Sequence, residues 1–253
     1  MKKNKMKPFA LLIVMAFSLS CQKQNNNTPS GNGGGSAATT NPNISPSNAS
    51  NWFGILDAYN LQSLTGGVLQ PTFKTASAFF SNAAQPSLNP SSFVKVNQAE
   101  LGSVIFKFST YDYVDTTFNL SFTPLTWKIN GLGSIPSFTF TNTNSFPAYS
   151  GYASLPDTVH IGTQITISIT GITGADQVIV AIWDGSNLLG HTQSQVLGTG
   201  SSVTFPASSL SSLNATNSGM LVVSGKKNNV QNVGTLPMNF TTNYQLSKTI
   251  SIK

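Results

Sequence analysis

From Trp52 to the C-terminus, apolar residues recur at alternate positions in short runs. Turn-forming residues break these runs roughly every eight to twelve positions, and no long stretch carries a helical period. A chain patterned this way has to build sheets. The clearest alternation lies in the second half. Gln164–Gly171 places Ile165, Ile167 and Ile169 on one face, and Gln177–Trp183 places Val178, Val180 and Ile182 on one face. Ser202–Phe205, Gly219–Gly225 and Tyr244–Ile252 repeat the pattern, and Asp184-Gly185 reads as a hairpin turn. Ala207–Leu213 is the best candidate for a short helical turn.

The first half is also β-rich but less regular. Ser92–Val96, Ser103–Ser109, Thr117–Phe122, Leu125–Ile129 and Ser137–Thr141 alternate, and Thr75–Phe80 fits either a strand or a short helix. Pro136, Pro147 and Pro156 interrupt the chain, and Asn142–Pro156 reads as an interdomain connection. The expected fold is all-β, with two antiparallel β-sandwich domains over residues 51–150 and 151–253; one large sandwich is the alternative. About seven short strands over about 100 residues make the second domain resemble an immunoglobulin-like sandwich. The cysteine pair of antibody domains is absent, so that resemblance concerns architecture only.

The first fifty residues obey a different pattern. Residues 1–8 are basic, Phe9 to Phe17 is an apolar run, and Ser18-Leu19-Ser20-Cys21 follows. This is the three-part layout of a secretory signal. It is shorter than the about 20 apolar residues that a membrane-spanning helix needs. Cys21, the chain's one cysteine, stands directly after the small-residue site and resembles the lipid-attachment cysteine of bacterial lipoprotein signals. Ser20 matches its place in the usual box; Leu19 and Ser18 are shifted from theirs. Ser18-x-Ser20 also satisfies the rule for ordinary secretion. The lipoprotein resemblance implies cleavage after residue 20, acylation of Cys21 with palmitate-type chains, and a membrane anchor. Gln22, which is not Asp, implies the outer rather than the inner membrane, on its periplasmic or its surface face. Residues 21–50 then read as a disordered tether of Gly, Ser, Asn and Pro with one strongly apolar residue, Ile44. Such a coil spans about 30 Å on average.

Charge sharpens the picture. Only 8% of the residues are charged, against about 25% in ordinary soluble proteins. Neutral polar residues fill the gap, as suits an exported β-protein. Lys2, Lys3, Lys5 and Lys7 leave with the signal, so most of the formal charge of +6 belongs to export. There is no Arg and no basic cluster in the remainder, which sets nucleic acid aside.

No catalytic set is legible. The seven acids are Asp57, Glu100, Asp112, Asp115, Asp157, Asp176 and Asp184, and nothing in their spacing pairs them for glycoside hydrolysis. His160 and His191 lack the close ligand partners a metal site requires. Asp112 and Asp115, flanked by tyrosines, present oxygens suited to Ca²⁺, although exposed strand-end residues are the simpler reading. No catalytic residue, metal or cofactor is expected, and the chain is read as a non-enzyme.

Aromatic residues give the strongest binding signal. Twelve fall between Phe106 and Tyr152. Flat rings stack on the apolar faces of sugars, and Tyr and Trp add a polar tip. Tyr111, Tyr113, Trp127, Tyr149 and Tyr152 and, separately, Trp183 are therefore candidate ligand-stacking residues, with core packing as the competing role. Asp115-Thr116-Thr117 and Asp157-Thr158-Val159 fit an Asp-Thr pattern that some Gram-negative bacteria O-glycosylate, which would place glycans on Thr116 and Thr158. The whole layout resembles β-sandwich cell-envelope lipoproteins. It implies a lipid-anchored extracytoplasmic protein that binds a carbohydrate or protein partner, or alternatively a structural subunit of a surface fibre or envelope assembly.

Overall fold

The computed structural model describes residues 44–46, 52–80, 94–97, 99–100, 102–105, 111–114, 120–132, 135–185, 192–197 and 201–253. The signal, Cys21 and Thr116 lie outside these. The strands are β1 (Ile44–Pro46), β2 (Gly54–Thr65), β3 (Val68–Leu69), β4 (Phe73–Phe80), β5 (Val94–Val96), β6 (Ala99–Glu100), β7 (Gly102–Ile105), β8 (Tyr111–Val114), β9 (Leu125–Leu132) and β10 (Ile135–Asn142). They continue as β11 (Ala148–Tyr149), β12 (Thr158–Val159), β13 (Ile165–Ser168), β14 (Ile172–Thr173), β15 (Gln177–Trp183), β16 (Thr192–Leu197), β17 (Ser202–Phe205), β18 (Thr216–Lys227), β19 (Val230–Val233) and β20 (Leu236–Ile252). The described residues also hold a 3₁₀ turn at Tyr152–Ser154 and one α-helical turn, α1 (Ala207–Leu210), which buries Leu210. The fold is all-β.

The largest sheet runs β16-β15-β18-β20-β2-β4-β8-β7. Its axis is β20, a strand of 17 residues. On one side β18 pairs with it antiparallel, and on the other β2 runs parallel from Gly54↔Met238 to Leu64↔Lys248. An antiparallel arrangement throughout was expected, so this parallel pair is a difference. Its physical basis is simple: parallel neighbours need a long crossover, and here nearly the whole body of the chain lies between them. The main sheet thus takes strands from both sides of residue 150.

Alternation along β20 divides its side chains between two faces. Met238, Phe240, Tyr244, Leu246, Ile250 and Ile252 point to one face, and smaller sheets pack against it there. At one end β9 and β10 bring Trp127, Ile129 and Phe138 against Leu56, Ala76, Met238 and Phe240. Phe240 meets Phe138 edge-on at 6.1 Å and stacks on Phe140 at 3.9 Å. At the other end β13 and β17 bring Ile167, Val203 and Phe205 against Val180, Leu221, Leu246 and Ile250. Two apolar clusters therefore share one strand.

Several expected strands form. Gln177–Trp183 and Ser202–Phe205 match the sequence reading residue for residue. Thr75–Phe80 falls within a strand rather than a helix. Ile44–Pro46, inside the stretch read as tether, pairs with Gln231–Val233 of β19, so a piece of that stretch joins the sheet. Gly66 and Gly67 turn β2 into β3 at φ 58° and 76°, the conformation that a tight hairpin requires. Gly185 also has positive φ, at 78°. However, β15 and β16 are joined by a longer connection than the two-residue turn expected at Asp184-Gly185.

Candidate functional site

The other face of the main sheet is also buried, and along its axis it is polar. Along β20 it carries Asn239, Thr241, Asn243 and Gln245, all at most 5% exposed. Register sets Asp57 of β2 opposite Thr241, Lys226 of β18 opposite Asn243, and Ser224 opposite Gln245. A central strand with polar side chains on one face has to satisfy each of them within the protein.

Asp57 organises the centre. Its carboxylate accepts a hydrogen bond from the Thr241 hydroxyl and another from Asn243 Nδ2 at 3.4 Å. Lys226 Nζ stands 3.5 Å from Asp57 Oδ1, with side chains only 14% and 5% exposed. Asn243 Nδ2 also donates to Thr241 Oγ1 at 2.7 Å and to the Ala58 carbonyl at 3.3 Å. One carboxylate, one ammonium, one amide and one hydroxyl thus converge from three adjacent strands.

A second polar knot lies next to it at the β18–β19 turn. Asn239 Oδ1 accepts from the Asn229 amide, and its Nδ2 donates to Asn228 Oδ1 at 2.9 Å. Asn229 Nδ2 donates to Asn142 Oδ1, and Asn142 Nδ2 to the Phe240 carbonyl. Asp176 completes it by accepting from Lys227 Nζ at 2.7 Å and from the Asn228 amide at 2.9 Å. Partial burial alone pushes the Asp176 carboxyl up. The bonds from Lys227 and Asn228, with the Lys227 charge, outweigh that and hold it below the usual carboxylate value.

The sequence-predicted residues are distributed widely. Tyr111 and Tyr113 lie on β8, paired with Ile105 and Ser103 of β7. Tyr149 is buried in the second apolar cluster and donates to the Ser168 carbonyl at 3.3 Å. Tyr152 packs against the same cluster, half-buried. The structure brings these two together with Tyr244, facing inward. Burial pushes the Tyr244 hydroxyl up to about 12, helped by the neighbouring Tyr149 and Tyr152. Burial also raises Tyr149, offset in part by a hydrogen bond with Ser154. Trp183 is half-buried at the end of β15, opposite Met220. Thr158 lies half-buried on β12 and pairs with Ser251.

The remaining acids with described side chains serve structural roles. Asp184 is buried and accepts two bonds from Asn214 at 3.0 Å. Asp157 pairs with Lys248 at 2.8 Å. Among the described residues no three His, Cys, Asp or Glu are grouped to hold a metal, and no helix is long and apolar enough to cross a membrane. The Asp57 centre was not legible as a site. Its one signal was the polar alternation of Asn239, Thr241, Asn243 and Gln245. Comparison with protein families, with curated proteins and with solved structures finds no match to this chain.

Proposed function

We propose that this chain is a lipid-anchored extracytoplasmic β-sandwich protein, held to the outer membrane through Cys21, that acts by binding a carbohydrate or protein partner and turns over no substrate. The observation that carries the non-enzymatic part is the state of the carboxylates. Asp57, Asp157, Asp176 and Asp184 are each held by a partner within the fold. Among the described residues none is paired with a second acid as hydrolysis of a glycosidic bond demands. The anchor rests on the signal layout and on the placement of the single cysteine. The finer architecture belongs to the same proposal: two sandwich domains over residues 51–150 and 151–253, the second immunoglobulin-like, whose apolar clusters exchange residues across that boundary.

Labelling with radioactive palmitate tests the anchor. Label is expected in the wild type and absent in Cys21→Ala; a Cys21→Ala protein that still incorporates label overturns it. A glycan array followed by calorimetry tests the binding surface. Trp183 and Tyr152 are the stacking candidates with partial exposure, and a ligand whose affinity is unchanged in Trp183→Ala and Tyr152→Ala excludes them.

The alternative reading is a structural subunit of a surface fibre or envelope assembly. What favours it is the pairing of β16 and β7, each with one neighbour only among the described residues. A strand free on one side can accept a strand from another copy. Sedimentation of the mature protein as a monomer at all concentrations argues against it.

A further inference from the structure

We propose that Lys226 and Asn243 become joined by an intramolecular amide bond, with Asp57 as the proton relay. Lys226 on β18 lies opposite Asn243 on β20, whereas Asp57 lies beyond β20, on β2. Strands in a sheet are about 4.8 Å apart. To stand 3.5 Å from Asp57 Oδ1, the Lys226 side chain has to cross β20, at the register that Asn243 and Thr241 occupy. The amine nitrogen and the amide nitrogen of Asn243 are both within 3.5 Å of the same carboxylate oxygen.

The arrangement supplies what amide exchange needs. The amine is the nucleophile, and the Asn243 carboxamide carbon is the electrophile. Asp57, as a carboxylate anion, is a poor electrophile but a competent base. It accepts a proton from the Lys226 ammonium, and the freed nitrogen pair attacks Asn243 Cγ. Asp57 then passes the proton to Nδ2, takes the second proton from the attacking nitrogen, now cationic, and hands it to the departing ammonia. One C–N bond forms and one breaks, the leaving group departs as ammonium, and Asp57 returns to its carboxylate form. No oxidant or other reactant is involved.

Positioning favours the step. Three acceptors hold Nδ2 in place: Asp57 Oδ1, Thr241 Oγ1 and the Ala58 carbonyl. Burial of Asn243 and Asp57 keeps water, the competing nucleophile, away from the carbonyl. Reactive groups gathered around one carboxylate oxygen behave as if at high concentration. A buried Lys–Asp ion pair by itself is no more stabilising than an apolar pair of the same volume, so stability alone does not account for a lysine spanning β20 at this point. The bond would tie the two antiparallel strands at the axis of the sheet, between its two apolar clusters.

Intact-mass measurement of the purified full chain under denaturing conditions is the test, since it reads the bond whether or not a variant folds. The wild type is expected to weigh one ammonia less than the same processed and acylated polypeptide without the bond, and fragmentation is expected to show a branched peptide joining Lys226 to Asn243. Lys226→Met, Asn243→Ala and Asp57→Ala are expected to recover the full mass. A wild type of full mass overturns the proposal. So does a deficit that persists in Lys226→Met, or a loss of one water that maps to Asp57.

Discussion

Phe240 and Asn239 are neighbours in sequence and equally inaccessible to water, yet they face opposite sides of β20 and are held by different forces. Phe240 sits among Met238, Phe138 and Phe140, where contact area and removal from water stabilise it. Asn239 sits in the turn knot, where a hydrogen bond at each end of its amide offsets the cost of burial. The apolar face tolerates any side chain of suitable shape. The polar face tolerates only one whose partners are all in place, and for that reason it fixes the register of β2, β20 and β18. The comparison teaches that burial alone says little about what a position requires.

The largest effect is expected on the apolar face. Phe240→Ala removes a ring packed on two others and leaves a cavity, at a cost of about 4 kcal/mol. Denaturant titration followed by tryptophan fluorescence measures it. A loss below about 1 kcal/mol would mean that this end of the sheet is loosely packed, and the contrast between the faces would fail.

Tyr244 belongs to the apolar face but carries a polar tip, its hydroxyl donating to Gln62 Oε1 at 2.8 Å. Its ionisation is displaced upward to about 12 in the fold, from about 10 in the unfolded chain. A raised value means that the folded state keeps a proton the unfolded state has released. The stability it contributes is complete below about pH 10 and is lost as pH rises through 12. The loss reaches at most about 3 kcal/mol. Tyr244→Phe is expected to cost about 1 kcal/mol at neutral pH through the lost hydrogen bond, and to flatten the alkaline decline. Unfolding curves taken from pH 8 upward test both; identical alkaline slopes in the two proteins would assign the titration to other groups.

On the polar face, Asn239→Ala strands the Asn229 amide and Asn228 Oδ1, a loss of about 2 kcal/mol. The comparison sharpens if the same position replaced by Leu, which restores volume but not the bonds, is no more stable than Ala. Rescue by Leu would show that volume rather than hydrogen bonding governs this face.

The same contrast explains what the sequence made legible. Gln177–Trp183 and Ser202–Phe205 were readable because one face alternates cleanly against the other. Gly54–Thr65 was not read as a strand. Leu56, Asp57, Ala58 and Tyr59 are buried in succession, since β2 is covered on both faces, and the period-two signal vanishes. The first half of β20 escaped for the same reason: Thr241, Thr242 and Asn243 are all buried, and a run of polar residues resembles a loop. The Asp57 centre depends on those two strands being parallel neighbours, a pairing between opposite ends of the folded body that local pattern does not carry. Tyr149 shows the reverse error of a local reading. Near Pro147 and Gly151 it has the context of a loop residue, yet its ring belongs to the core.

The smallest effect is expected at the rim of the polar knot. Asp176 joins Lys227 and the Asn228 amide, but its side chain is 41% exposed. Solvent screens such a pair, so its worth stays below about 1 kcal/mol. Its carboxyl is held below the usual value in the fold. A depressed value means that the stability it contributes is present above the unfolded pKa of about 3.9 and disappears as pH falls below that through the folded value. Asp176→Asn is therefore expected to be slightly less stable than the wild type at neutral pH, and the two are expected to converge in acid. Paired denaturation curves at the two pH values decide it. A gap that persists in acid would show that the Asn228 turn depends on the shape of the side chain at position 176 and not on its charge. The rim would then behave like the buried amide of Asn239, whose partners matter at every pH.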